Sequence, residues 1–279
     1  MLYQKFDGIR LDTVPYVRSD YWRKFTSASG VFSLGEVSTA EISEVAKYIT
    51  NGSMDSAFEY PLYLAAIDVF AHMHTMNTLS KQIGEAREMI GIEGVQFFGT
   101  FAENHDQPRF LALRDDIMAD RNMILFSIAT EGIPFIFYGQ EQGYHGGLKF
   151  EENREPLWTS GFPTTDSYMG FYSYIQTILR YRRITSFFEM SNTEIWVEKN
   201  LYVFSRKDVL FALTNVGTGG RTLTKTVSGF GVPYQKGLTV CNIFYPEDDC
   251  LTIVEDYTMD IILVGGECKV FVPQDIIPS

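Results

Sequence analysis

Through its first two-thirds the chain alternates short apolar runs with longer mixed stretches, and each apolar run ends in polar residues. "FDGIRLD" (6–12), "VFSLGEV" (31–37), "SMDSAFEY" (53–60), "VQFFGTFAENHD" (95–106) and "GIPFIFYGQE" (132–141) read as buried strands. Helical spacing predicts helices over Pro61–Met76, Asp115–Thr130 and Ser167–Arg183. Strand then helix, repeated, implies parallel strands joined by crossovers. Such strands are buried on both faces, which explains runs that are nearly all apolar. From about Glu189 the pattern changes. "NLYVFSRKDVLFALTNV", "RTLTKTVSGF", "GLTVCNIFY", "CLTIVEDYTMDIILVGG" and "CKVFVP" alternate or run β-rich between Gly, Asn and Pro turns. An antiparallel β-sandwich is predicted there, dividing the chain into residues 1–187 and 188–279.

Composition narrows the partners. At 279 residues, 45% hydrophobic and 21% charged, the sequence is that of a globular protein of one large or two modest domains. A formal charge of −12 argues against nucleic acid or an anionic membrane as partner. The most apolar region, Met123–Tyr138, is too short for a membrane span and carries Glu131 and Pro134. No basic start followed by an apolar run marks a signal peptide. Three Cys give no metal-ligand spacing. Cys241 and Cys250 flank "NIFYPEDD" and could pair across a hairpin in an oxidising compartment, leaving Cys268 free. Asn51-Gly52-Ser53 is a lone glycosylation sequon.

Candidate chemistry collects where parallel α/β folds build active sites, at the carboxyl ends of strands. Arg10 and Asp12 come first, then Glu36, then Asn104, His105 and Asp106, then Gln140 and Glu141. Arg10 and Asp12 are two apart and share a side of their strand. A guanidinium so close keeps the Asp ionised, which suits a nucleophile. Asp12 and Glu36 are separated by one strand–helix–strand crossover, so they would end neighbouring strands about 4.8 Å apart. A retaining glycosidase needs its carboxyl pair about 5–5.5 Å apart. Apolar neighbours in "SLGEV" would favour the protonated form of Glu36 and make it a proton donor. Taken singly, each residue has a plainer reading: Arg-x-Asp as a structural ion pair, His105-Asp106 as a helix cap.

"GIRLD", "LGEV" and "FAENHDQPRF" resemble the three later signature motifs of the alpha-amylase clan of glycoside hydrolases. "IPFIFYGQEQGYHGG" and "NREPLW" resemble the strand and loop that follow, in the manner of the fungal-type alpha-amylases. The resemblance runs to about Arg183 and implies a partial (β/α)8 TIM barrel lacking strands one to three, followed by an antiparallel β-sandwich. It implies Asp12 as nucleophile, Glu36 as general acid/base and Asp106 as transition-state stabiliser. Arg10 and His105 would contact the nucleophile and the sugar in the cleaving subsite, and Arg154 a more distant glucose. The substrate implied is an α-glucan: starch, glycogen or a maltooligosaccharide.

The sequence also departs from the family. Pro15-Tyr16 replaces a Lys-His pair that helps hold the leaving-group sugars and lends a carbonyl to calcium; Tyr16 keeps the carbonyl and adds a stacking ring. The loop before Arg154 is altered, so the acidic residue expected there is not assigned. The family's first signature motif has no counterpart, nor does the excursion domain with most calcium ligands. Calcium is therefore expected for the family with most of its ligands outside this chain, and no metal residue is assigned. The family is mostly secreted, which leaves the compartment of this chain open. A bare apolar edge on the first strand predicts weak stability and little or no turnover by the chain alone. The leading expectation is a truncated, retaining endo-hydrolase of α-1,4-glucosidic bonds. The alternatives are a non-catalytic carbohydrate-binding or interaction module, and an α-glucosidase or transglycosylase of the same clan.

Overall fold

Strand β1 (Gly8–Leu11) opens an arc of parallel strands in the computed structural model, which describes residues 6–149, 151–163 and 170–277. It pairs with β2 (Phe32–Gly35), setting Arg10 beside Leu34 and Leu11 beside Gly35. Next comes β3 (Ser56–Ala57), parallel to β2. A bridge from Phe58 to Gly99 leads on to β4 (Gly99–Phe101), which pairs with β5 (Ile133–Phe135). The crossovers are helical. They are α1 (Ser19–Ser29), α2 (Ile42–Thr50), α3 (Tyr60–Phe70) with α4 (Asn77–Ile90) and α5 (Ile92–Val95), then α6 (Phe110–Leu113) with α7 (Ile117–Ala129). Helix α8 (Phe171–Thr185) follows β5. Among the described residues the five strands form an open arc, with β1 and β5 at its edges.

The predicted strands therefore occur in the predicted order, but not every one is buried on both faces. Ile133 and Phe135 of β5 are 41% and 39% exposed, and Gly8 and Arg10 of β1 are exposed. The arc does not close, so side chains on its concave side lack a facing layer. Helix boundaries shift for local reasons. The helix expected over Pro61–Met76 stops at Phe70 because Met73 turns left-handed (φ 60°) and the Met76 amide bonds the Lys199 carbonyl. Asp116 caps α7, its side chain accepting from the Ala119 amide. Residues 164–169, where the Ser167–Arg183 helix was expected to begin, lie outside the described residues. Helix α4 had no sequence assignment because its buried stripe is narrow, formed by Leu79, Ile83 and Ala86.

The remaining strands are β6 (Thr193–Glu198), β7 (Leu201–Arg206), β8 (Val209–Thr214), β9 (Leu223–Ser228), β10 (Thr239–Asn242), β11 (Cys250–Thr252), β12 (Thr258–Leu263) and β13 (Lys269–Pro273). They make a six-stranded antiparallel sheet, β11-β10-β13-β8-β7-β6, and a two-stranded ribbon, β12-β9. Every residue of β7 and β8 is buried. Period-2 alternation explains this, because successive side chains serve two different cores. Tyr202, Phe204, Phe211 and Leu213 pack with α3, α7 and α8. Leu201, Val203, Leu210 and Ala212 pack with the β9–β12 ribbon. The six-stranded sheet is thus a wall shared by both cores. Cys241 and Cys250 face each other across β10–β11 and form a disulfide; Cys268 is free and buried. Among the described residues, no helix is long and apolar enough to cross a membrane.

A polar lock crosses the same wall. Arg206, 1% exposed, donates to the carbonyls of Ala129, Thr130, Phe188 and Met190 and to Gln96 Oε1. Burial lowers its pKa to about 10, which still leaves it charged near neutrality. Beside it Glu131, also buried, accepts from Arg87, Gln96 and the Asn192 amide. Glu59, just past β3, is buried, and desolvation followed by repulsion from Glu131 pushes its carboxyl well above the carboxylate range.

Two outcomes follow. Arg206→Met strands several buried carbonyls and should cost about 3–5 kcal/mol of stability by urea denaturation; a loss under about 1 kcal/mol would contradict the lock. Glu59 binds its proton more tightly when folded, so it costs stability as pH rises above the unfolded value of about 4.3. Glu59→Gln should therefore gain stability progressively above that pH and gain nothing below it. A gain that does not depend on pH would refute the assignment.

Candidate active site

The site is assembled by the register of β1 and β2. With Leu11 opposite Gly35, the next residues, Asp12 and Glu36, leave adjacent strand ends side by side. The backbone is tied there, since the Glu36 amide bonds the Leu11 carbonyl (2.8 Å) and the Val14 amide bonds the Glu36 carbonyl (3.0 Å). Gly35 is required by space, because a Cβ would lie 2.1 Å from Met54 Sδ and 3.0 Å from Val14 Cγ2. Thr13 adopts a left-handed φ of 46°, which turns its amide onto Glu36 Oε2 (3.1 Å). That conformation is uncommon for a β-branched residue and marks a strained turn beside the carboxylates.

Arg10 joins the two carboxylates. Its Nη1 contacts Asp12 Oδ1 and its Nη2 lies 3.0 Å from Glu36 Oε2. The hydrogen bond from Arg10 holds the Asp12 carboxyl below the usual carboxylate range, and Arg10's charge, Glu36 and His105 add to the effect. Glu36 is 6% exposed, yet its surroundings are not the apolar ones its sequence neighbours predict. Arg10, the Thr13 amide and the Tyr60 hydroxyl (3.3 Å to Oε1) all point at it. Tyr60 in turn accepts from Asn104 Nδ2 (2.9 Å). Burial, reinforced by the Glu36 charge, pushes the Tyr60 phenol far above its ordinary pKa, so it stays an O–H donor.

His105 and Asp106 follow β4. His105 Nε2 lies 3.2 Å from Asp106 Oδ2, and the Asp106 amide donates to Asn104 Oδ1 (2.9 Å). Arg154 donates to Asp106 Oδ1 and to the His105 carbonyl, both at 2.9 Å. It sits on Asp106 rather than reaching outward as the motif implies. What brings it there is Arg109, fully buried, which bridges Glu103 (2.9 Å) and Glu155 (3.0 Å) and lies 4.4 Å from the Phe137 ring centre. That pair of bridges fastens the loop carrying Arg154 to the loop carrying Asp106.

Arg10, Glu36, Tyr60, Asn104 and His105 line a cavity of about 160 Å³ whose floor is aromatic: Phe58, Phe101, Phe135 and Phe137. Asp12 stands at its rim, 68% exposed at the side chain. Tyr16 projects from the short turn Val14–Tyr16 and is 88% exposed. Gln140 and Glu141 do not join this group. The apolar run "IPFIFY" outlasts β5, which ends at Phe135, so Gln140 falls beyond the strand end and is buried. Glu141 lines a larger cleft of about 760 Å³ along α8, with Ile136, Ile175, Leu179 and Ile184, whose lining includes none of Asp12, Glu36 and Asp106. Sequence reading passed over Tyr60. Its signal was present in "FEY" at the third strand end, where Glu59 turns inward and the next side chain enters the cavity.

The resemblance carried by the sequence motifs raises the question of calcium. Among the described residues, no group of three or more His, Cys, Asp or Glu side chains could hold a metal ion. No residue is assigned to calcium, and no step is assigned to the ion.

Residues 1–178 match the family described as "Alpha amylase, catalytic domain". The chain is 28% identical over 288 residues to Alpha-amylase 2 of Schwanniomyces occidentalis, covering 98% of itself and 53% of that protein. It is 36% identical over 178 residues to Alpha-amylase 1 of Lipomyces kononenkoae, covering 63% of itself and 27% of that protein. Among solved structures, an alpha-amylase from Malbranchea cinnamomea superposes with a TM-score of 0.88 at 28% identity, over 97% of this chain and 56% of that one. The chain thus spans about half the length of relatives it matches nearly end to end, and its parallel arc with a β-sheet domain is part of their architecture. With the catalytic-domain match over more than half its length, the chain belongs to the alpha-amylase family of glycoside hydrolases.

Proposed function

We propose that this site performs retaining endo-hydrolysis of α-1,4-glucosidic bonds in α-glucans such as starch, glycogen and maltooligosaccharides. The observation that carries the reading is the Arg10 guanidinium bridging Asp12 and Glu36 across neighbouring strand ends. One guanidinium can span only carboxyl groups that are close together, and retaining glycosidases use a pair about 5–5.5 Å apart. Asp12, ionised and at the open rim, attacks the anomeric carbon. Glu36, buried at the cavity wall, protonates the leaving oxygen and later deprotonates the attacking water. Asp106, with His105, grips sugar hydroxyls and stabilises the oxocarbenium-like ring. Arg154 sets the position of Asp106, and Tyr16 offers an exposed ring to sugars on the leaving-group side. The aromatic floor suits the apolar faces of glucose units. The Cys241–Cys250 disulfide supports an oxidising compartment.

A second reading, sugar binding with little turnover, is favoured by the exposure of Asp12. A solvated carboxylate keeps a hydration shell that must be removed before it attacks. Turnover of soluble starch by the chain alone is expected to be slow because the arc is open; the reducing ends it does release should form as the α-anomer first, and Asp12→Asn should lower that rate at least about 1,000-fold. Binding of maltoheptaose without any Asp12-dependent release would support the second reading. Release that survives Asp12→Asn would defeat the first.

A further inference from the structure

We propose that Tyr60 is a positioning residue whose hydroxyl stabilises the negative charge left on Glu36 Oε1 once that oxygen has given up the catalytic proton; this rests on the reading of Glu36 as acid/base. The two oxygens of Glu36 have different neighbours. Oε2 receives the Thr13 amide at 3.1 Å and Arg10 Nη2 at 3.0 Å, both obligate donors. A proton on Oε2 would face two other N–H groups, so the acidic proton belongs on Oε1. That oxygen faces the Tyr60 hydroxyl at 3.3 Å.

Tyr60 is itself held in orientation. Its hydroxyl accepts from Asn104 Nδ2 at 2.9 Å, which directs its single proton toward Glu36. Its ring is 3% exposed and sits edge-on to Phe101, with centroids 5.2 Å apart. Asn104 also accepts the Asp106 amide through Oδ1, so one side chain links the proton donor to the loop bearing Asp106. The 3.3 Å separation is long for an O–H···O contact, and such contacts tighten when charge develops on the acceptor.

The step is balanced as follows. The proton on Glu36 Oε1 passes to the glycosidic oxygen, and the bond from that oxygen to the anomeric carbon breaks with its electron pair going to the oxygen. An Asp12 oxygen forms the new bond to carbon. Oε1 is left with the negative charge, and the Tyr60 O–H receives it. In the second half-reaction Oε1 takes a proton from water. Tyr60 therefore favours the deprotonated state that each donation leaves behind, and it matters only when the leaving group needs a proton.

That selectivity gives the test. Wild type and Tyr60→Phe are compared on maltoheptaose, whose leaving sugar must be protonated, and on α-maltotriosyl fluoride, whose leaving fluoride need not be. Thermal melts verify that both proteins are folded. The inference predicts that Tyr60→Phe lowers kcat/KM for maltoheptaose about ten- to hundred-fold and leaves kcat/KM for the fluoride within about three-fold. Equal losses on both substrates would assign Tyr60 a packing role, and no loss on either would remove it from the machinery; each overturns the inference. A folded wild type that turns over neither substrate overturns the acid/base reading beneath it, a result separate from the other two.

Discussion

The Arg10 guanidinium lies between Asp12 and Glu36, and the local structure is arranged to keep it there. Two like charges at adjacent strand ends would repel, and a cation between them removes that cost. It also makes them unequal. Asp12 takes the closer contact at an exposed rim and stays ionised, whereas Glu36 is buried against a tyrosine and an amide. The proposed division into nucleophile and acid/base rests on this asymmetry of environment. Shifting the β1–β2 register by one residue would turn Arg10 to the other face and separate the pair.

Stability of this arrangement comes from the far side of the molecule. β7 and β8 are buried on both faces because they divide their side chains between two cores, one under the helices and one under the β9–β12 ribbon. Arg206 reaches from β7 to the carbonyls that end α7, so the polar ends of the arc are satisfied by the sheet domain rather than by solvent. The parallel arc and the β-domain act as a single packed body through that wall. A family member keeping the arc without the sheet would expose the residues of α3, α7 and α8 that Tyr202, Phe204 and Phe211 cover.

Much of this was legible in the residues alone, and what was not has identifiable causes. Asp12 and Glu36 could be placed at neighbouring strand ends because each directly follows a short apolar run. Strands β7 and β8 are legible as β-rich runs in "NLYVFSRKDVLFALTNV". Gln140 and Glu141 were misplaced because an apolar run need not be a strand throughout: pairing stops at Phe101 and Phe135, and the run continues as irregular chain. The surroundings of Glu36 were misjudged because its donors come from residues distant in sequence or from a strained amide, neither visible in "SLGEV". Arg154 was legible as a functional cation, but its position depends on a buried Glu103–Arg109–Glu155 chain that only the folded molecule brings together. Tyr60 is obscured in the sequence because the carboxylate next to it, Glu59, is buried toward the core.

The assignment of Asp12 as nucleophile is the claim on which the chemistry stands, and covalent capture tests it most directly. A fluorinated α-glycosyl fluoride that forms a glycosyl-enzyme but releases it slowly would be incubated with the protein, which is then digested and sequenced by mass spectrometry. The predicted result is a single sugar adduct on the peptide containing Asp12, absent in Asp12→Asn. An adduct on Glu36 or Asp106, or turnover of the reagent with inversion at the anomeric carbon, would contradict it.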